Sequence, residues 1–466
     1  MPKLFKVFNW NAKRPSIKRS IKKSIKKSNV ALSALLVASL RGVALLSMLT
    51  LSCLAQAQDA EKVTLIHSGW LLVSADLPPL DRQTIVVEGG EIVDILEGFA
   101  DSRLYPDTEV SIVDLSDQFV LPGLIDTHVH LTLGGFSGDF WRLSDADITL
   151  IAARNAGITI EAGFTTVRDL GSLRAEPIVA LRDATASGLI PGPRIFAAAQ
   201  PISATAGHGD LRGLREDIAH LILSSGVCDG ADDCRRAVRA QYKVGADTIK
   251  LHATGGGADP NGRQDSLPEM FDDEMRAVVD TAHALNLKVA AHAHGTAGII
   301  AALNAGVDSI EHGSWLTDEV IELFLETGAY LDPTAYLQDY FLSRTAIPEA
   351  AHALRRERVS VMHPMLSRAM ASGVNIAMGT DAGIMPHGDN AKEIMKYVQL
   401  GMSESQAIRS ATLTAAELLD VDAEIGSIAI GKHADIIAVS ADPLQNIEAL
   451  SDVRFVMRAG RIYRQD

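Results

Sequence analysis

From residue 62 to 122, apolar and polar positions alternate in short runs broken by turn residues. Thr84-Ile85-Val86-Val87-Glu88 is followed by Gly89-Gly90 and then by Glu91-Ile92-Val93-Asp94-Ile95. A period of two interrupted by paired glycines predicts a β-hairpin. The far end repeats the pattern at residues 434–439 and 453–457 and, after Ala459-Gly460, at Arg461-Ile462-Tyr463. Between these flanks, over residues 123–419, short apolar runs alternate with longer helical patterns, the βα rhythm of a parallel sheet. Strands are predicted over 165–169, 247–251, 288–292, 309–312 and 375–379, and helices over 272–287 and 404–419. A stretch of roughly 300 residues suits one (β/α)8 TIM barrel. The expected chain is therefore α/β, with a barrel at 123–419 and a small β-sandwich domain built from both chain ends, residues 58–122 and 420–466.

The first 57 residues differ in kind. They hold 11 Lys or Arg and no Asp or Glu, with a basic run from Lys3 to Lys27, an apolar segment from Val30 to Leu54, and then Ala55-Gln56-Ala57. A basic start, an apolar stretch and a small-x-small tripeptide make an export signal cleaved after Ala57. Arg41 interrupts the apolar segment, which keeps a retained membrane anchor open as the alternative. Lipidation at Cys53 is disfavoured, because Thr50-Leu51-Ser52 puts leucine one place from where it is needed. Without this segment 32 basic residues face 58 acidic ones, a formal net of −26. That charge argues against nucleic acid and anionic lipid as partners and suits a soluble protein, secreted, periplasmic or extracellular, with no stable membrane association once the signal is cut. Cys228 and Cys234 then remain, with five residues between them in a polar, glycine-containing stretch. In an oxidising compartment this spacing suits a local disulfide, with two free thiols the alternative.

Strand positions single out a few of the 14 histidines. Residues two apart in a strand share a face, so His128 and His130, Lys250 and His252, and His292 and His294 form three such pairs. Each lies near the carboxyl end of a predicted strand, where barrel enzymes gather their chemistry. A lysine inside an apolar strand needs a reason, since a buried ammonium is costly unless paired or modified. Lys250 either pairs with Asp169 or Asp381, or reacts with CO2 to give a carbamate whose two oxygens bridge two cations. Two further strands end in His312-Gly313 and in Thr380-Asp381-Ala382-Gly383. Four imidazoles (His128, His130, His292, His312), the Asp381 carboxylate and Lys250 make a zinc-type donor set, and the scarcity of cysteine excludes a thiolate site. Asp126 and Asp169 read as structural.

These stretches resemble the amidohydrolase superfamily over nearly the whole mature chain. The resemblance is carried by residues 120–130, 165–169, 289–295, 309–313, Gly379-Thr380-Asp381 and Gly431-Lys432-His433-Ala434-Asp435. Ile249-Lys250 with Ala253-Thr254-Gly255-Gly256, and Gly207-His208-Gly209-Asp210, look like its imidazolonepropionase-like branch, which holds metal-dependent Xaa-Pro dipeptidases, carboxypeptidases and ochratoxin-type amidases. It implies two divalent metal ions, zinc by ligand type, although manganese, cobalt or iron fit the same donors. By that resemblance His128, His130 and Asp381 hold the more buried ion and His292 and His312 the more exposed one. Lys250, as N6-carboxylysine, bridges them. Imidazolonepropionases proper are cytosolic and use one metal, so Lys250 and the export signal count against that activity.

The expected reaction is hydrolysis of an amide in a small-molecule or dipeptide-like substrate, releasing a C-terminal amino acid. Asp381 carries the proton from water to the leaving amine, and His294 either contacts substrate or orients a ligand. His208, His252 and His387, in loops expected to ring the mouth, and Tyr336 are the candidates to grip a substrate carboxylate. A homo-oligomer is expected by analogy with such relatives. The alternatives are a cyclic-amide hydrolase or deaminase on the same scaffold, a deaminase usually keeping one metal and no bridging lysine, and a non-catalytic relative, which would be expected to have lost ligands. Titration of the exported chain with a thiol reagent is expected to find neither Cys228 nor Cys234 reactive; recovery of both thiols overturns the bridge.

Overall fold

The computed structural model describes residues 62–106, 108–134, 142–210, 215, 217, 225–256 and 267–466. The export signal expected over residues 1–57, with its expected cleavage site, lies outside them. The flanks supply β1 (Lys62–Leu71), β2 (Leu80–Glu88), β3 (Glu91–Glu97) and β4 (Glu109–Pro122) from one end, and β13 (Ile436–Val439), β14 (Val453–Arg458) and β15 (Arg461–Gln465) from the other. They form one sheet in the order β15-β14-β13-β4-β1-β2-β3. The sequence led us to expect two sheets. There is one because β4 and β13 pair antiparallel from Pro122↔Ile436 to Phe119↔Val439, carrying the hydrogen-bond ladder unbroken from one chain end into the other. Ile66, Ile85 and Ile92 nevertheless share a buried cluster with Ile436, Phe455 and Met457, so apolar residues of both halves meet as those of a sandwich do.

Eight parallel strands follow the βα rhythm: β5 (Leu124–Val129), β6 (Phe164–Asp169), β7 (Arg194–Ala197), β8 (Thr248–His252), β9 (Lys288–Ala293), β10 (Ser309–His312), β11 (Tyr330–Asp332) and β12 (Asn375–Ile376). They lie in two sheets, β5-β6-β7 and β12-β11-β10-β9-β8. Backbone hydrogen bonds join the free edges. Ile202, beyond β7, donates to Lys250 O at 2.8 Å and accepts from His252 N at 3.0 Å. On the other side Thr127 N donates to Met378 O at 2.8 Å, Asp381 N to His128 O at 2.7 Å, and His130 N to Ala382 O at 2.7 Å. Almost every residue of these strands is buried, which is why they read as apolar runs rather than as alternating ones.

Three local differences from the sequence reading have physical causes. The strand expected over 375–379 pairs only at Asn375–Ile376, because Met378 and the residues after it turn to hydrogen-bond with β5. The helix expected over 404–419 is two, Glu404–Ser410 and Leu413–Leu418. Its carbonyls at Ser410 and Ala411 are taken by Met378 N (3.0 Å) and Ile125 N (2.7 Å), which breaks the i→i+4 ladder there. Strands β7 and β11 went unpredicted; they are four and three residues long and sit beside Pro193 and Pro333.

Cys228 and Cys234 are joined in a disulfide with Cα atoms 5.0 Å apart. Cys228 N also donates to Ser203 O at 2.9 Å, so the bridge ties the start of helix Ala231–Val244 to the loop after β7. The small sheet is pinned to the strand layer by Asp435. Its carboxylate accepts from Arg194 Nη1 at 2.6 Å and from Ala459 N at 2.8 Å. Asp435→Ala leaves both donors without their acceptor and is expected to cost about 2–4 kcal/mol of stability, read as a lower denaturation midpoint in calorimetry; an unchanged midpoint would show that this junction carries little of the fold.

Candidate metal centre

Register brings the chemistry together. His252 lies level with His292, His292 with Glu311, and Glu311 with Asp332, giving one row across β8, β9, β10 and β11 at their carboxyl ends. Lys250 is two residues before His252 and therefore shares its face. His312 follows Glu311 directly, so strand alternation alone would turn it away. Its backbone instead adopts φ 74°, and Gly313 follows at φ 54°, which reorients the side chain into the cavity. Asp381 does the same at φ 61°. Positive φ in a non-glycine residue is strained and clusters at functional sites; here it delivers two of the six candidate ligands.

Among the described residues, His128, His130 and Asp381 each offer a ligand atom within 4.8 Å of the others, and His292, His294 and His312 form a second such group. Asp381 Oδ1 lies 3.2 Å from His130 Nε2 and 3.7 Å from His128 Nε2. The opposite nitrogens are engaged by the protein. His130 Nδ1 is 2.9 Å from Gly171 O, His128 Nδ1 is 2.9 Å from Glu311 Oε2, and His312 Nδ1 is 2.7 Å from Thr334 Oγ1. Each of these contacts occupies Nδ1 and leaves Nε2 as the nitrogen that could face a cation, the arrangement by which an outer partner fixes a metal-binding imidazole. Burial lowers His128 to about 4, and burial with neighbouring imidazoles holds His292 and His312 well below the usual value, so all three are neutral near pH 7. Burial also works against charge on His130, but its hydrogen bond to Asp381 raises it instead.

Beneath these groups lies a buried ionic layer. Arg168, fully enclosed, donates Nε to Thr127 O at 2.6 Å, Nη1 to Ser309 Oγ at 3.2 Å and Nη2 to Glu311 Oε1 at 3.1 Å. Glu311 is held below the ordinary carboxylate range by Arg168 and Lys250 against the opposing effect of burial. Asp332 is pushed far above it, by burial first and then by Glu311, and accepts from Thr127 Oγ1 at 2.8 Å. Lys250 Nζ is buried with no hydrogen-bond partner, and burial lowers it to about 8. Neither Asp169 nor Asp381 takes it up as a hydrogen-bonded pair. Asp169 accepts from Leu131 N and Gly171 N, and Asp126 from His128 N, Thr380 N, Thr380 Oγ1 and Asn390 Nδ2. Arg168, Glu311 and Asp332 were not singled out from sequence. The signal was present, since the argument made for a lysine in an apolar strand applies equally to them.

A cavity of about 250 Å³ opens over this layer. Its wall includes His128, His130, Lys250, His292, His312 and Asp381, together with His208 and His252 and apolar Leu133, Leu170, Leu173, Pro201 and Ile384; His208 stacks on His292 with ring centroids 4.5 Å apart. His208 and His252 lie 4.9 Å apart by ring centroid and with His292 make a further cluster of nitrogens. A Cβ on Gly256 would overlap the His208 ring, so that ring's seat requires glycine. His294 is off the wall: its Nδ1 meets Ser314 Oγ at 2.7 Å and its ring stacks on His312 at 4.8 Å. Two candidate substrate residues are not brought to the cavity wall. His387 packs behind His130, its nitrogens 3.2 Å from Thr159 Oγ1 and 3.4 Å from His130 O. Tyr336 starts helix Tyr336–Ser343 and lies under the Lys392 ammonium, 5.6 Å from its ring centre.

Known proteins share this arrangement of chain. The sequence model of the amidohydrolase family matches residues 119–463. An ochratoxinase from Aspergillus niger is 31% identical over 440 residues, covering 87% of this chain and 88% of the relative. An imidazolonepropionase from Sphingopyxis alaskensis is 27% identical over 407 residues, covering 78% and 87%. The crystal structure of a Xaa-Pro dipeptidase with bound methionine in its active site superposes with a TM-score of 0.79 at 36% identity, covering 86% of this chain and 100% of that one. The chain belongs to the amidohydrolase family and is a hydrolase acting on carbon–nitrogen bonds.

Proposed function

We propose that this protein is a binuclear metal-dependent amidase of the dipeptidase or carboxypeptidase type, releasing a C-terminal amino acid. The observation that carries the two-cation reading is Lys250, a buried amine without a hydrogen-bond partner whose charge bears on both His128 and His312. Lowered to about 8, a share of it is neutral near pH 7 and able to add CO2. The new N–C bond and loss of a proton would give a carbamate, whose two oxygens would join His128, His130 and Asp381, and His292 and His312, as donors to the cations. The same reading takes the eight parallel strands as one closed (β/α)8 barrel with its site at the carboxyl-end face, supported by the hydrogen bonds joining both sheet edges. The Cys228–Cys234 disulfide supports export to an oxidising compartment.

Divalent cations, zinc by ligand type, would supply a Lewis acid for the scissile carbonyl and lower the pKa of an attacking water. The chain's own groups do the rest. Asp381, on the cavity wall, takes the proton from the water and delivers it to the departing amine nitrogen. His208 and His252, beside His292 in the same cavity, grip the carboxylate of the released residue, and the apolar wall at Leu170, Leu173 and Ile384 takes its side chain. Likeness to the Xaa-Pro dipeptidase and the ochratoxinase supports a linear amide ending in an amino acid. Likeness to an imidazolonepropionase favours a second reading, hydrolysis of a ring amide with one metal, against which Lys250 counts.

Metal content of the mature protein, with and without Lys250→Ala, separates the two. Two equivalents in the parent, a loss in the variant, and release of a C-terminal amino acid from N-acylated amino acids or dipeptides support the amidase; one equivalent, untouched by the substitution, moves the assignment to the ring hydrolase. Asp381→Asn is expected to lower kcat by about 10²–10⁴-fold in steady-state assays on whichever amide is cut. A variant within twofold of the parent would remove Asp381 from proton transfer.

A further inference from the structure

Helix Ala391–Gln399 lies outside the metal centre, yet the residues at its start reach both halves of it. Asn390 and Glu393 are completely buried. Asn390 Nδ2 donates to Asp126 Oδ2 at 2.7 Å. Asp126 in turn accepts from His128 N at 3.0 Å, Thr380 N at 3.2 Å and Thr380 Oγ1 at 2.6 Å, and so grips the backbone on which His128 and Asp381 ride. Glu393 faces the other half. Its Oε1 accepts from Ala335 N at 2.6 Å and its Oε2 from Tyr336 N at 2.7 Å. The residue just before that pair is Thr334, whose Oγ1 is the partner of His312 Nδ1.

Thr334 adopts φ 45°, an unfavourable conformation for a β-branched residue that persists only where its surroundings over-determine it. Two backbone N–H groups locked onto one buried carboxylate immediately after it provide that constraint. A buried carboxyl group accepting two backbone donors on separate oxygens is a poor site for an amide, since the amide nitrogen has no lone pair with which to accept from the second N–H.

We propose that Asn390 and Glu393 are positioning residues that brace the two metal half-sites from one turn of chain: Asn390 through Asp126 for His128 and Asp381, and Glu393 through Thr334 for His312. The proposal rests on the ligand assignment given above. It makes the two half-sites mechanically linked, because the same turn sets the distance between them.

The test is zinc affinity of the mature, full-length chain, measured by competition with a metal buffer and elemental analysis. Circular dichroism confirms that each variant is folded. Glu393→Gln and Thr334→Val are each expected to weaken one equivalent about 10–100-fold, and Thr334→Ser, which keeps the hydroxyl, to restore parental affinity. Combining Glu393→Gln with Thr334→Val should weaken it no further than either alone, the non-additivity of residues in one network. Asn390→Ala is expected to weaken the other equivalent. Folded Asn390→Ala and Thr334→Val chains with parental affinities overturn the brace, and the Thr334 pair still decides if Glu393→Gln fails to fold. If the parent holds one equivalent only, the two-metal reading fails. The brace is then judged by whether Asn390→Ala or Thr334→Val changes that one affinity.

Discussion

The structure depends on keeping several ionisable groups out of water at the carboxyl ends of the parallel strands. Arg168, Lys250, Glu311 and Asp332 are all buried there, in a layer that a purely apolar core would fill more cheaply. Removing one partner of a buried ion pair leaves an uncompensated charge worth several kcal/mol, so the layer is an all-or-nothing device. Arg168 and Glu311 satisfy each other, and burial with the adjacent Glu311 charge pushes the Asp332 carboxyl up, toward its neutral form. Of these four residues, only Lys250 has no hydrogen-bond partner at all. A group left in that state is either a large local cost or a reactive one, and its place on the cavity wall is what the proposed carbamate rests on.

Backbone strain is concentrated at the same level. His312, Thr334 and Asp381 all adopt positive φ, and each would relax to a commoner conformation without its hydrogen bonds. The structure offsets this with buried acceptors: Asp126 beneath Thr380, Glu393 beneath Ala335 and Tyr336. Gly379 belongs to the same economy of space, since a Cβ there would overlap the Asp332 carboxylate. Strain, ionic burial and ligand direction are therefore one problem with one solution, which is why polar residues of adjacent strands and of helix Ala391–Gln399 are found in it.

Farther out, the cavity mouth uses a different kind of support. The loop after β7 carries His208 and is held by backbone pairing of Ser203 with Gly226 and Cys228, next to the Cys228–Cys234 bridge. Asp229 adds hydrogen bonds to Thr205, at 3.1 Å to N and 2.6 Å to Oγ1. A covalent clip thus lies beside the His208 segment of the cavity, while His128, Lys250, His292 and His312 sit on the strands. The neutral imidazoles of His252 and His292 sit where the two supports meet.

The sequence by itself determined the periodicities and hence the alternation of strands and helices, the two β flanks, and the residue types able to hold a cation. Those are local properties: alternation in residues 84–95, a lysine in an apolar run at 250, histidines two apart at 128 and 292. It did not reveal that Glu311 and Asp332 lie level with His292, because register joins residues that are far apart in the chain. Nor did it show that His312 and Asp381 reach the cavity through left-handed backbone, since strand alternation from Glu311 points His312 the other way. His387 and Tyr336 were legible as polar groups near strand ends, but tertiary packing spent them on Thr159, His130 and Lys392 instead. Only the tertiary structure could make these choices, because each follows from which buried polar atom finds a partner first, and that is a property of the packed chain.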